Sequence, residues 1–169
     1  MRATALQIIP NPTPSLTAVE VEVIGIFVSA VKMLGLPKSI GEIYGLLFIS
    51  RIPLSLDALV ERLGISKGSA SQGLKFLRSF GAIKQVYIGG DRRDHYTAET
   101  ELKKLVAGFI RSELKPRMES GGERLRRAVA AVDMASDDDA LFYKGRLTKL
   151  HQWHGRGQSL LPLLSGLLD

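Results

Sequence analysis

The chain has 169 residues, of which 24% are charged and 45% hydrophobic, and it carries a formal net charge of +6. That length suits one domain, or a small domain with an assembly element, and a core of this size needs no disulfide or structural metal. The absence of cysteine excludes disulfide scaffolds, thiol nucleophiles, iron–sulfur clusters and every cysteine-ligated zinc motif.

The charge is concentrated. Residues 51–100 hold eight basic and five acidic groups, and residues 101–130 hold eight and four, whereas both ends are nearly balanced. Ser66–Arg93 alone has six basic side chains against the single acid Asp91. A basic block on a folded segment points to an anionic partner, nucleic acid or a membrane surface, with a merely solvated face as the plain alternative. The longest apolar stretch, Val23–Val31, falls far short of the roughly 20 residues that span a bilayer. Glu20 and Glu22 precede it where a signal peptide would carry Lys or Arg, so a cytoplasmic protein without a membrane partner is expected.

Residues 1–15, with Pro10, Pro12 and Pro14, read as an irregular arm. Ser15 is positioned to cap a segment reaching Leu34, with Gly35 as its stop and Pro37 beyond. The alternation Val19-Glu20-Val21-Glu22-Val23 resembles a strand, but length and the spacing of Val23, Ile26, Ala30 and Met33 predict a helix. Ile40–Ile49 is a second apolar helix. Ser55 opens a short helix over Leu56–Leu63, with Asp57 in its positive first turn and Gly64 as a left-handed stop. Ser66 caps the next helix, which ends before Gly81. Ala82–Ile88 and His95–Ala98 form a hairpin around the charged tip Gly89-Gly90-Asp91. From Glu101 the pattern is helical again, interrupted or kinked at Pro116 and Gly121-Gly122. Asp137 is placed to cap a last helix from about Asp138 to His154, followed by the apolar tail Ser159–Leu168.

Helix, short helix, the three-residue turn Gly64-Ile65-Ser66, helix and basic hairpin, in that order, constitute a winged helix-turn-helix signature. Placing Ala70, Leu74 and Leu77 inward turns Gly68, Gln72, Lys75 and Ser79 outward, with Ser69 and Ser71 on the flanks. This small, polar and basic face can enter a major groove about 12 Å wide. Gln72 is suited to a bidentate contact with adenine, while Ser69 and Ser71 suit bases or phosphates. Ser66 and Lys67 at the helix start suit phosphate. On the wing, one of Arg92 and Arg93 is expected to reach DNA and the other to pair with Asp91 or Asp94 and hold the loop; the sequence leaves open which.

Gly35–Ser50 (GLPKSIGEIYGLLFIS) and Pro53–Glu101 carry the motifs GLP-x₅-IYGLL, PLSLD-x-L, LGISKGS-x-S and GDRR-x-x-Y. They resemble the GbsR-like branch of the MarR superfamily, winged-helix transcriptional regulators that are mostly homodimeric repressors. The resemblance covers about 65 of the 169 residues and places the reading helix and wing on Ser66–Phe80 and Ile88–Tyr96. It implies double-stranded DNA as partner and a homodimer. Some members are linked to choline and glycine-betaine metabolism, and aromatic faces bind quaternary ammonium ions. Tyr44, Phe142, Tyr143 and Trp153 are thus the candidates for a choline- or betaine-type effector, against the plainer reading of core or interface residues.

The expected architecture is mainly α with a small β-hairpin wing. Residues 1–37 form an arm and dimerisation helix, 38–100 the DNA-binding domain, and 101–169 a helical dimerisation and effector region. No catalytic residue, metal or cofactor is expected. Gly64-x₃-Gly68-Ser69 lacks the G-x₄-G-K-[S/T] order of a phosphate loop. His151 and His154 lack a third ligand, and Asp137–Asp139 reads as an acidic helix start. The rival to a DNA reader is a winged helix that binds another protein, but its outward helix face would be expected to carry an apolar or aromatic anchor, and none is present.

Overall fold

The computed structural model describes residues 15–134 and 139–168. The chain divides into two compact units, one of residues up to 77 together with 83–98, the other of residues 78–82 together with 99 onward. Apart from Ser15, the expected irregular arm lies outside the described residues, as does Asp137 with its expected cap.

In the first unit, α1 (Ala18–Met33) is a helix, as its length implies despite the strand-like alternation. Its cap is Thr17 rather than Ser15. Thr17 Oγ1 accepts from Glu20 N (3.3 Å), and the Glu20 carboxylate accepts from Thr17 N (2.9 Å), a reciprocal arrangement that satisfies two orphan donors. After α1, Gly35 turns the chain at φ +69°. Ile24 and Val28 point inward, while Ile26 is 66% and Met33 84% exposed. α1 carries two apolar faces, and α2 (Lys38–Ile49) covers the one with Ile24 and Val28.

Gly41 and Gly45 bring α1 and α2 together. A Cβ on Gly41 would stand 2.7 Å from the Val28 backbone, and one on Gly45 would stand 2.8 Å from Ile24 Cα. Two glycines one helical turn apart thus admit the neighbouring backbone. Beside this contact, Phe27, Tyr44 and Phe48 form an aromatic cluster, Phe27 and Tyr44 meeting edge to face at 4.7 Å.

Next come β1 (Leu54–Ser55), α3 (Leu56–Leu63), α4 (Lys67–Ser79), β2 (Ile83–Val86) and β3 (His95–Ala98). The caps of α3 are those expected: Ser55 Oγ accepts from Ala58 N (3.2 Å), and Gly64 closes it at φ +63°. The hairpin gains a third strand that two residues of sequence could not announce. β1 pairs with β3 (Leu54 opposite Tyr96, Ser55 opposite His95), giving an antiparallel sheet in the order β1-β3-β2.

The second unit is helical: α5 (Leu102–Phe109), a π-turn (Ile110–Leu114), α6 (Lys115–Asp133) and α7 (Asp139–Leu168). The interruptions expected at Pro116 and Gly121-Gly122 take other forms. Pro116 cannot donate to the carbonyl four residues back, and the helix widens just before it, Lys115 N–H reaching Ile110 O. Gly121-Gly122 does not break α6. It leaves a notch for the His154 ring, whose Nε2 donates to Met118 O at 2.8 Å, and a Cβ on Gly122 would meet that ring at 2.9 Å. The apolar tail beyond His154 is not separate, for α7 continues through it with Pro162 inside. No helix among the described residues is long and apolar enough to cross a membrane.

Candidate nucleic-acid interface

α4 is held by one side and open on the other. Ala70, Leu74 and Leu77 are buried with Gly73, while Gly68, Ser71, Gln72 and Lys75 are exposed. Gly73 lets α4 settle onto the core, since a Cβ there would come within 2.5 Å of Ile43 Cδ1. No large apolar side chain stands on the outward face between Lys67 and Lys75.

The polar residues of the helix start are partly engaged. Ser66 Oγ accepts from Ser69 N (3.1 Å) and donates to Ser69 Oγ (2.9 Å), so the Ser66 hydroxyl first serves as the cap. Lys67 Nζ lies 2.9 Å from Asp57 Oδ1 on α3, both side chains open to solvent, a pair that water and salt screen easily. Among the described residues, Ser71, Gln72 and Lys75 have no side-chain hydrogen bond or ion pair. They form the unengaged centre of the face.

The wing separates the two arginines. Asp91 accepts from Arg93 three ways: from the backbone N–H (3.0 Å), from Nε (3.0 Å) and from the terminal guanidinium nitrogen (2.6 Å). The Arg93 side chain and backbone hold the Asp91 carboxyl well below the usual carboxylate range, and the pair in turn raises Arg93. Asp94 Oδ1 accepts from Gln85 Nε2 at 2.6 Å, bracing the tip against β2. Arg92 has no ion pair among the described residues and is exposed. Arg93 thus shapes the loop and Arg92 is its unengaged cation.

Two wing residues escaped the sequence reading. His95 is buried at the start of β3, where its Nδ1 donates to Arg93 O (2.9 Å) and its Nε2 lies 3.5 Å from Asp91 Oδ2. Asp91, Arg93 and His95 therefore form one cluster beneath the tip. Tyr87, just past β2, is the other, nearly fully exposed beside the arginine loop. Its signal was an aromatic residue adjoining a glycine-rich basic turn, but strand alternation alone cannot say which side a hairpin buries.

The candidate effector residues fall into two settings, one in each unit. Tyr44, only 3% exposed, belongs to the aromatic core of the first unit and offers no face to solvent. Its place follows from α1, whose Phe27 packs onto it. Phe142, Tyr143 and Trp153 are exposed along α7, with Phe142 against Tyr143 at 5.8 Å. The Arg146 guanidinium stands 5.2 Å from the Phe142 centroid and that of Arg156 5.8 Å from the Trp153 centroid. Among the described residues no group of three His, Asp or Glu side chains could hold a metal ion.

No family model matches the chain. Among curated proteins it is similar to the HTH-type transcriptional repressor GbsR of Bacillus subtilis (strain 168), 32% identical over 76 residues, which are 45% of this chain and 42% of that protein. It is also similar to the HTH-type transcriptional repressor OpcR of the same organism, 29% identical over 101 residues, 60% of this chain and 51% of the other. The chain spans about half the length of the curated relatives it matches. A crystal structure described as that of a transcriptional regulator superposes with a TM-score of 0.63 at 18% identity, covering 88% of this chain and 95% of the other, a likeness of fold. These relatives are named as regulators rather than enzymes. The chain is thus similar in sequence to part of GbsR and of OpcR, and its fold is a winged helix-turn-helix.

Proposed function

We propose that this chain is a sequence-specific DNA-binding transcriptional regulator, a repressor that acts as a homodimer on a two-fold operator. The observation that carries the reading is the outward face of α4, where small, polar and basic side chains stand over a helix fixed from behind by Ala70, Leu74 and Leu77. Gln72 reads a base edge, Ser71 and Ser69 contact bases or phosphates, and Ser66, Lys67 and Lys75 lie along the backbone. Arg92 reaches a flanking phosphate or the minor groove, and Arg93 keeps the wing in shape.

The dimer reading rests on apolar surface that a lone protomer leaves in water. Val19, Val23, Ile26, Ala30 and Met33 recur at alternating spacings of four and three along α1, the pattern of a helix seam. In the second unit, Phe142, Trp153, Leu160 and Leu164 are exposed on α7. Stripes of this kind mark interfaces. A dimer sets its two recognition helices about one DNA turn, roughly 34 Å, apart.

The test is a fluorescence titration with DNA from upstream of the chain's own gene, beside length-matched random DNA, at two salt concentrations. A dimer that neutralises about 6–8 phosphates loses on the order of 10³-fold or more in affinity between 50 and 200 mM salt. Preferential, salt-sensitive binding is the expected result. Absence of binding to either DNA at low salt overturns the proposal in favour of a protein-interaction module. A mass that stays monomeric at every concentration overturns the dimer. A choline- or betaine-type effector binding at Phe142 or Trp153 competes with the Arg146 and Arg156 guanidinium groups that stand over those rings. Calorimetry with millimolar choline tests it.

A further inference from the structure

We infer that Asp57 on α3 is a specificity-determining residue of the nucleic-acid interface. It holds Lys67 of α4 back from the phosphates of unmatched DNA and yields it to those of a matched site. The inference rests on the reading of the chain as a sequence-specific DNA binder. Lys67 Nζ lies 2.9 Å from Asp57 Oδ1, across the turn Gly64-Ile65-Ser66 that joins the two helices. Of the two lysines on the outward face of α4, Lys75 has no ion pair among the described residues, whereas Lys67 has this one.

The Asp57 carboxylate is not the cap of its own helix. Ser55 Oγ already accepts from Ala58 N at 3.2 Å, and Asp57 turns instead to the neighbouring helix. The side chains are 58% exposed for Asp57 and 73% for Lys67, so the pair is weak in water and a phosphate can displace the carboxylate. The charge of Asp57 also reaches the wing, where Arg93 is raised first by Asp91 and in smaller part by Asp57.

A lysine ammonium is a point charge on a flexible stem, and it pairs with whichever anion stands nearest. On a matched site the base contacts of Gln72 and its neighbours fix the register, so the same phosphate faces Lys67 in every complex. On unmatched DNA the register varies, and the carboxylate at 2.9 Å competes with phosphates at changing distances. Binding without sequence preference comes almost wholly from phosphate contacts. Restraining one cation therefore weakens unmatched binding more than matched binding, and the ratio between them rises.

The experiment is a fluorescence titration of the full chain with the duplex from upstream of its own gene and with a length-matched random duplex. It compares wild type, D57N, K67Q and D57N/K67Q at 50 and 200 mM salt. D57N is expected to bind the random duplex about fivefold more tightly at the lower salt, with a salt slope steeper by about 0.9, the mark of one added phosphate contact. Its gain on the upstream duplex is expected to be smaller, so that the preference falls about threefold. Adding D57N to K67Q is expected to leave the preference where K67Q alone sets it. Damage to α3 would instead lower affinity for both duplexes without steepening the slope. That result, an unchanged affinity for the random duplex, an equal gain on both duplexes, or a gain that persists without Lys67 would each overturn the inference. Wild type that binds the upstream duplex no better than the random one overturns the underlying reading, and the inference with it.

Discussion

Glu20 offers the sharpest test of how this fold is held. Its carboxylate accepts from Thr17 N and Thr17 Oγ1 at the start of α1 and from the Arg62 guanidinium on α3, at 2.8 and 2.9 Å to the two oxygens. The pair is largely withdrawn from water, with side-chain exposures of 14% for Glu20 and 17% for Arg62. Arg62 Nε is buried with no partner. Glu20→Ala removes half of the reciprocal cap, about 1 kcal/mol. It also removes charge-assisted hydrogen bonds of about 1.5–3 kcal/mol and leaves a half-desolvated guanidinium. The expected loss is about 3 kcal/mol of unfolding free energy.

Arg62→Met should cost less, because the charge leaves together with its partner bonds. The double variant should therefore show a coupling of about 1.5 kcal/mol or more. Urea unfolding at one fixed protein concentration measures this, since a dimer's stability depends on concentration. The pH dependence has a definite sign. The Thr17 backbone N–H, and then Arg62, lower the native Glu20 pKa, so its contribution is complete above the ordinary value near 4.5 and is lost as the pH falls from there through the native value. A coupling below about 0.5 kcal/mol, the range of exposed pairs, would refute the reasoning.

Gly41→Ala should destabilise by about 1–3 kcal/mol, because its Cβ meets the α1 backbone, whereas Gly25→Ala, facing open space, should not; thermal melts of the two distinguish them. Gln72→Ala should relax preference at one base pair by about 1–3 kcal/mol, read in a panel of single-base operator variants. Arg92→Ala should weaken all DNA about equally and reduce the salt slope by about 1, so a base-specific effect would overturn its role as a phosphate clamp. Arg93→Ala should instead loosen the wing, seen as faster proteolysis between Gly89 and Asp94, and protection equal to wild type would show that Asp91 holds the loop without it.

What the sequence determined by itself was local. Ser55 and Gly64 announce the limits of α3 because caps act within one turn, and the inward spacing of Ala70, Leu74 and Leu77 announces the face of α4 because helical period is a property of the segment. Motif order then sufficed for the winged helix-turn-helix. Tertiary structure decided every choice between equivalent partners. α1 has two apolar faces, and only the approach of Gly41 and Gly45 selects the one carrying Ile24 and Val28. Arg92 and Arg93 are indistinguishable as letters until the tip turn at Gly90, φ +84°, brings Asp91 onto one of them. Tyr44 is an aromatic residue of either core or site until Phe27 packs against it. Periodicity says that a face is apolar, but what covers it depends on residues far along the chain, and that information resides in the packing.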